Sequence, residues 1–308
     1  MNERSRAGLF ATLVLSAAVA VSCRGADVTP VKTPNISPSQ PVSAEPSSIL
    51  TLLPTLEPTP ILSPTPEPTK EQATVYWIFA HPDDETLAAV GAIYDSQKAG
   101  NKNVVIIVTD GESTAVGPRL GLSLKQVAVA REKEATAALG VIGIKPIFLR
   151  EPDAGVYVQV GFVENEIKKL AEETPGTVLF RGHSTNDPYR GLPHGHPDHY
   201  AVAMALEAEY KNGEIKNLEE YTVGQFAGTK PHGTCVFLSK QDMIIKQEMR
   251  KQYALIDPKI GRYGIAVRSV PAMWEKTTSE PECYTTPTAN LTPQPTIPPQ
   301  SRDTAIMI

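Results

Sequence analysis

Cysteine is scarce, three residues in 308, and no two stand in C-x-x-C spacing. That excludes a disulfide-built miniprotein, a zinc ribbon and a thiol redox motif. Basic charge is not in excess either: 29 Lys and Arg face 34 Asp and Glu, a formal net charge of −5. Phosphate-binding surfaces need clustered cations, so a nucleic-acid partner drops out. No G-x-G-x-x-G follows the first apolar run, which leaves a dinucleotide site unsupported. No serine has a nucleophile-elbow context, so covalent serine chemistry has no foothold. The apolar run Leu9 to Val21 has 13 residues, too few to cross a bilayer core of about 30 Å.

What is present divides the chain by composition. Arg4 and Arg6 precede the apolar run, which ends in small residues before Cys23; residues 1–23 therefore read as a secretory signal peptide. Ala18-Val19-Ala20 fits ordinary cleavage, whereas Ala20-Val21-Ser22-Cys23 resembles a bacterial lipobox, with Cys23 as the lipidated residue. The second outcome is expected, and it tethers an extracytoplasmic protein to the membrane by a lipid anchor alone. Residues 24–70 hold eleven prolines in 47 positions. Proline fixes φ and lacks the amide donor, so this stretch is expected to be a disordered linker. Residues 286–308 repeat that composition and are expected to be a disordered tail. The folded part is then 71–285.

That middle alternates short apolar runs with helical patterns. Thr74 to Ala80, Val104 to Thr109, Pro146 to Leu149 and Thr177 to Phe180 read as strands, and Thr86 to Lys98, Phe162 to Glu173 and Tyr200 to Tyr210 as helices. Ser123-x-x-Gln126 is a capping-box start for a further helix that ends at Gly140. Apolar strands without alternation, separated by helices, imply a parallel sheet covered on both faces. The expected fold class is α/β: a three-layer, Rossmann-like domain with a mostly parallel sheet, flanked by disordered Pro-rich segments.

All six histidines lie within 71–285. Ala80-His81-Pro82-Asp83-Asp84-Glu85 sits where the first strand should end. His194-Gly195-His196-Pro197-Asp198-His199 sits just before the helix at Tyr200. In a parallel sheet the carboxyl ends of strands are where ligands bind, so both groups can meet in one crevice. A catalytic zinc takes three protein ligands, commonly imidazole with carboxylate, and leaves a position for water. His81, Asp84 and one histidine of the second group supply such a set, and the unused aspartate of the adjacent pair is a general base. An isolated His-Pro-Asp would read only as a capping turn.

These two motifs, in this order, resemble those of the PIG-L/LmbE-like deacetylases, zinc hydrolases that remove N-acetyl groups from glucosamine-containing molecules. The likeness runs from about Val75 to about Tyr210. Position by position it implies that His81, Asp84 and His199 ligate zinc, that Asp83 is the general base, and that His196 stabilises the oxyanion, with Asp198 orienting a histidine of the motif. Some members carry a tyrosine where this chain has His194, which could donate a proton there or be a turn residue. The likeness also suggests that Arg131 faces the substrate, although Arg131 and Glu134, three apart on a helix, read on sequence alone as a salt-linked solvent face. Asp110, after the second strand, is a candidate to contact sugar hydroxyls or a turn residue; His183, Asn186 and Asp187 follow the fourth strand and are candidates to line the same crevice and bind substrate. Cys235 and Cys283 could bridge in an oxidising compartment.

The expected function is a metal-dependent N-deacetylase with Zn2+ as cofactor, acting on a small-molecule or glycan substrate that contains N-acetylglucosamine. Two alternatives stand beside it: a tethered glycan-binding module without turnover, and a zinc amidase acting on non-sugar amides.

Overall fold

The computed structural model describes residues 71–154, 159–187, 196–223, 233–276 and 281–287, all in the unit Thr65–Ile308. The expected signal peptide with Cys23, the expected linker, His194 and all of the expected tail but residues 286–287 lie outside the described residues.

Strand β1 (Thr74–Phe79) lies inside the sheet. It pairs in parallel with β2 (Lys102–Thr109) on one side and β4 (Val178–His183) on the other. Strand β3 (Ile147–Glu151) extends the sheet beyond β2, and β5 (Leu218–Tyr221) extends it beyond β4, both in parallel. Successive side chains of a strand point to opposite faces. Trp77 and Phe79 accordingly join one core with Ile93, Leu139 and Met249. Tyr76 and Ile78 join the other with Ile167, Val202 and Leu206. Helices α2 (Val90–Lys98) and α4 (Leu124–Gly140) cover the first face, and α5 (Val160–Glu173) and α6 (Pro197–Lys211) the second. The architecture is the expected α/β layering, and Ser123 and Gln126 form the expected capping box of α4.

The order β3-β2-β1-β4-β5 reverses direction at β1. The carboxyl ends of β1 and β4 therefore flank the topological switch point, where an open α/β sheet leaves a crevice.

Three features depart from the sequence reading. The helix expected over Thr86 to Lys98 is two helices, α1 (Asp84–Ala88) and α2, broken at Ala89. The reason is tertiary: the buried Glu282 carboxylate accepts hydrogen bonds from Gly91 N (3.0 Å) and Ala92 N (3.1 Å), capping α2 from a distant part of the chain. Second, α6 begins inside the second motif, with His196 as N-cap and Pro197 in the first turn. Proline is favoured there because its missing N–H would be unpaired anyway. Third, the sheet continues past β5 with two antiparallel additions, β9 (Glu282–Thr285) and the edge strand β6 (Thr234–Val236).

Cys235 and Cys283 face each other across β6 and β9 and are bridged. With a sequence separation of 48 between them, chain-entropy reasoning assigns the bridge about 3–4 kcal/mol. Replacing both cysteines by serine is expected to lower the urea midpoint by that amount of stability; an unchanged midpoint would show that the bridge constrains nothing the fold does not already hold.

Candidate metal centre

Backbone geometry brings the two motifs together. His81 follows β1, Asp84 opens α1, and His199 lies in the first turn of α6. His81 Nδ1 is 3.2 Å from Asp84 Oδ2 and 3.1 Å from His199 Nε2. The third edge, His199 Nε2 to Asp84 Oδ2, is 3.2 Å. Donors bound at 2.0–2.1 Å to one tetrahedral zinc stand about 3.3–3.4 Å apart. Two imidazoles and a carboxylate at that spacing fit a zinc ion.

Each donor is held from behind, the arrangement that orients metal ligands. Asp84 Oδ2 accepts from the His81 amide (2.7 Å), and His199 Nδ1 lies 3.0 Å from Asp187 Oδ2. Asp198 is fully buried; its Oδ2 lies 3.3 Å from His81 Nε2 and accepts from Ala154 N at 2.8 Å. A residue of the second motif thus supports a histidine of the first. Asp153, which sequence reasoning did not single out, places Oδ1 3.2 Å from the same His81 Nε2 and accepts from Ser113 N. Its signal was available: it stands just past the carboxyl end of a parallel strand, β3.

The charges explain one another. Burial alone would raise the Asp84 carboxyl, but His199 and His81 outweigh it and hold it well below the usual range. Burial disfavours a charged His199 ring, yet Asp84 and Asp187 raise it to about 9. The same opposition, with Asp153 and Asp84 prevailing over burial, holds His81 well above its ordinary value.

Beside this triangle lies Asp83, 3% exposed and pushed up to about 7 by burial, with Arg131 opposing the shift. Arg131 Nη2 stands 2.9 Å from Asp83 Oδ1, and the guanidinium donates to the carbonyls of Gly111 and Pro82. The solvent-face reading of Arg131 and Glu134 is overturned, since both are buried. Glu134 instead accepts from Tyr263 N, Ile265 N and Ala266 N, at 3.2, 3.0 and 3.2 Å. Nothing local in the sequence announces that role.

His196 packs edge-on against His81, ring centroids 4.6 Å apart. Its Nδ1 accepts from Asp198 N, and burial with the charges of His81 and His199 holds the ring far below its ordinary pKa. Asp110 does not join the cluster. Its carboxylate lines an open groove with Glu112, Glu132 and Arg150, and burial followed by Glu132 and Glu112 pushes it up to about 6. His183 does not line the crevice either. It is 0% exposed, underneath Asp84 and His199.

A doubly covered, mostly parallel sheet with a histidine–aspartate cluster at its switch point defines an α/β protein whose crevice could hold a metal ion. Residues 76–209 match the family model PIG-L, described as GlcNAc-PI de-N-acetylase; the chain carries a PIG-L family domain over that span. No curated protein matches the sequence. Among solved structures, an A40926 pseudoaglycone deacetylase is similar at 20% identity and TM-score 0.48, over 64% of this chain and 84% of that one. The N,N'-diacetylchitobiose deacetylase of Pyrococcus horikoshii is similar at 18% and 0.48, over 70% and 84%. The 4-carboxy-2-hydroxymuconate hydratase of Pseudomonas putida is similar at 20% and 0.45, over 73% and 100%.

Proposed function

We propose that the chain is a zinc-dependent hydrolase that removes an N-acetyl group from an N-acetylglucosamine-containing substrate. The observation that carries this reading is the donor triangle of His81, Asp84 and His199, its edges 3.1–3.2 Å, beside a buried, unligated carboxylate. The PIG-L family description supports the amide and the sugar. A binding module needs no such carboxylate next to its metal.

When bound by His81, Asp84 and His199, zinc supplies Lewis-acid activation of water and of an amide carbonyl. Asp83 takes the proton from the attacking water; its raised pKa suits a base working near neutral pH. Arg131 holds one carboxylate oxygen, which fixes the direction in which the other points. His196 accepts at Nδ1, so the proton of the neutral ring resides on Nε2, the tautomer needed to donate to the developing oxyanion; such a donor is worth about 3 kcal/mol. Asp83 then returns its proton to the departing amine, and the second water proton, lost from the acetic acid formed, ends on the same amine, so acetate and the protonated amine leave with the protons balanced. Asp198 and Asp187 keep His81 and His199 in register throughout.

The Cys235–Cys283 bridge supports an oxidising location, and with it the reading of Cys23 as a lipid anchor outside the cytoplasm. Purified protein is expected to release acetate from N-acetylglucosaminyl substrates, to lose that activity to a chelator, and to regain it with zinc. Zinc binding without release from any sugar or non-sugar amide would favour the glycan-binding module. Release from non-sugar amides alone would favour the amidase.

A further inference from the structure

His183 ends β4 and is wholly enclosed. Its ring stacks on His199, with centroids 4.0 Å apart and planes 9° from parallel, and meets Phe79 edge-on at 5.3 Å. Its Nε2 accepts the amide hydrogen of Ala80, 2.9 Å away, and lies 3.2 Å from Asp84 Oδ2. Its Nδ1 is buried with no hydrogen-bond partner among the described residues. A phenylalanine or leucine would fill this space without the unpaired Nδ1 but would strip the Ala80 N–H of its acceptor, so the chemistry at Nε2 has to account for the histidine.

One account makes His183 a metal donor, since its ring, Asp84 and His199 offer donor atoms within 4.8 Å of one another. The Ala80 amide argues against it: an imidazole nitrogen that accepts an N–H has spent its one lone pair. What the ring does instead is join the two halves of the donor triangle from beneath. The Ala80 amide is the peptide immediately before His81, so accepting its hydrogen pins the end of β1 where that ligand begins. Stacking pins the plane of His199, whose other degree of freedom is held by Asp187 at 3.0 Å.

We infer that His183 is a positioning residue for the metal centre: through the Ala80 N–H bond at Nε2 and its stack on His199, it sets the spacing of His81 relative to His199 without touching the ion. This rests on the metal-centre reading above, but only as far as zinc binding.

The test measures zinc affinity of the full chain by competition with a chromophoric chelator, alongside the melting temperature of the metal-free protein. His183→Phe keeps a stacking ring and removes the acceptor; it is expected to weaken zinc about tenfold or more, the range for partners behind metal ligands. His183→Gln restores an acceptor near Nε2 but not the stack and is expected to bind between the phenylalanine variant and the wild type. Should the phenylalanine variant fail to fold, His183→Met, flexible and apolar, takes its place in the comparison. Wild-type affinity in the apolar variant would reduce His183 to packing and overturn the inference, as would a glutamine variant as weak as the apolar one. If the wild-type chain binds no zinc, the metal-centre reading itself fails, a result distinct from either.

Discussion

Asp83→Asn is expected to lower turnover by about 10²–10⁴-fold, the usual contribution of a general base, while zinc affinity stays within a few-fold of the wild type. The substitution is nearly isosteric and keeps an oxygen for Arg131, so the 2.9 Å contact that holds the side chain survives. What disappears is the ability to take a proton. The donor triangle excludes Asp83, which separates this variant from replacement of His81, Asp84 or His199, where the ion itself would be lost. Steady-state acetate release at saturating zinc, with metal content measured on the same preparation, reads both quantities. An Asn variant that keeps more than about a tenth of wild-type turnover would remove Asp83 from the proton-transfer role and with it the proposed mechanism.

Glu134→Ala is expected to destabilise the fold by about 3–5 kcal/mol, a large part of the 5–15 kcal/mol that holds a typical domain together. Glu134 is 0% exposed, and its two oxygens accept the amides of Tyr263, Ile265 and Ala266. The last two are the first amides of α8 (Ile265–Ser269), whose own N-cap, Gly264, has no side chain to offer. The first N–H groups of a helix need an acceptor from elsewhere. Without Glu134 three amides are buried unpaired, each with a desolvation penalty of about 1–3 kcal/mol. Glu134→Gln keeps one oxygen and turns an amide nitrogen toward a donor, so it should fall between alanine and the wild type. Urea midpoints at constant m report the difference; a loss under about 1 kcal/mol for alanine would mean that water replaces the carboxylate.

Both expectations turn on where legibility stopped. The strands and capped helices from Thr74 to Tyr210 were readable because hydrophobic period and capping chemistry are local properties of the chain. The break at Ala89 was not, because the acceptor that caps α2 belongs to Glu282, 191 residues beyond Gly91. For the same reason Arg131 and Glu134 read as a surface pair. Spacing of three on a helix says that two side chains share a face, and only tertiary packing says that the face is covered. His183 was legible as a histidine after a strand, but its depth beneath the ligands was not, since both the crevice and its floor lie at the carboxyl end of the sheet.

By itself, then, the chain's local chemistry determined a parallel α/β layering and two histidine–proline–aspartate groups at element starts. Those follow from side-chain period, proline geometry and capping, which act within a few residues. The tertiary structure alone decided that His81, Asp84 and His199 stand 3.1–3.2 Å apart, that Arg131 grips Asp83, and that Asp153, Asp187 and His183 back the cluster. Sheet order sets those distances: β1 and β4 become neighbours only after the chain has gone out through β2 and β3 and come back, and pairing over such separations leaves no signature in any local stretch of sequence.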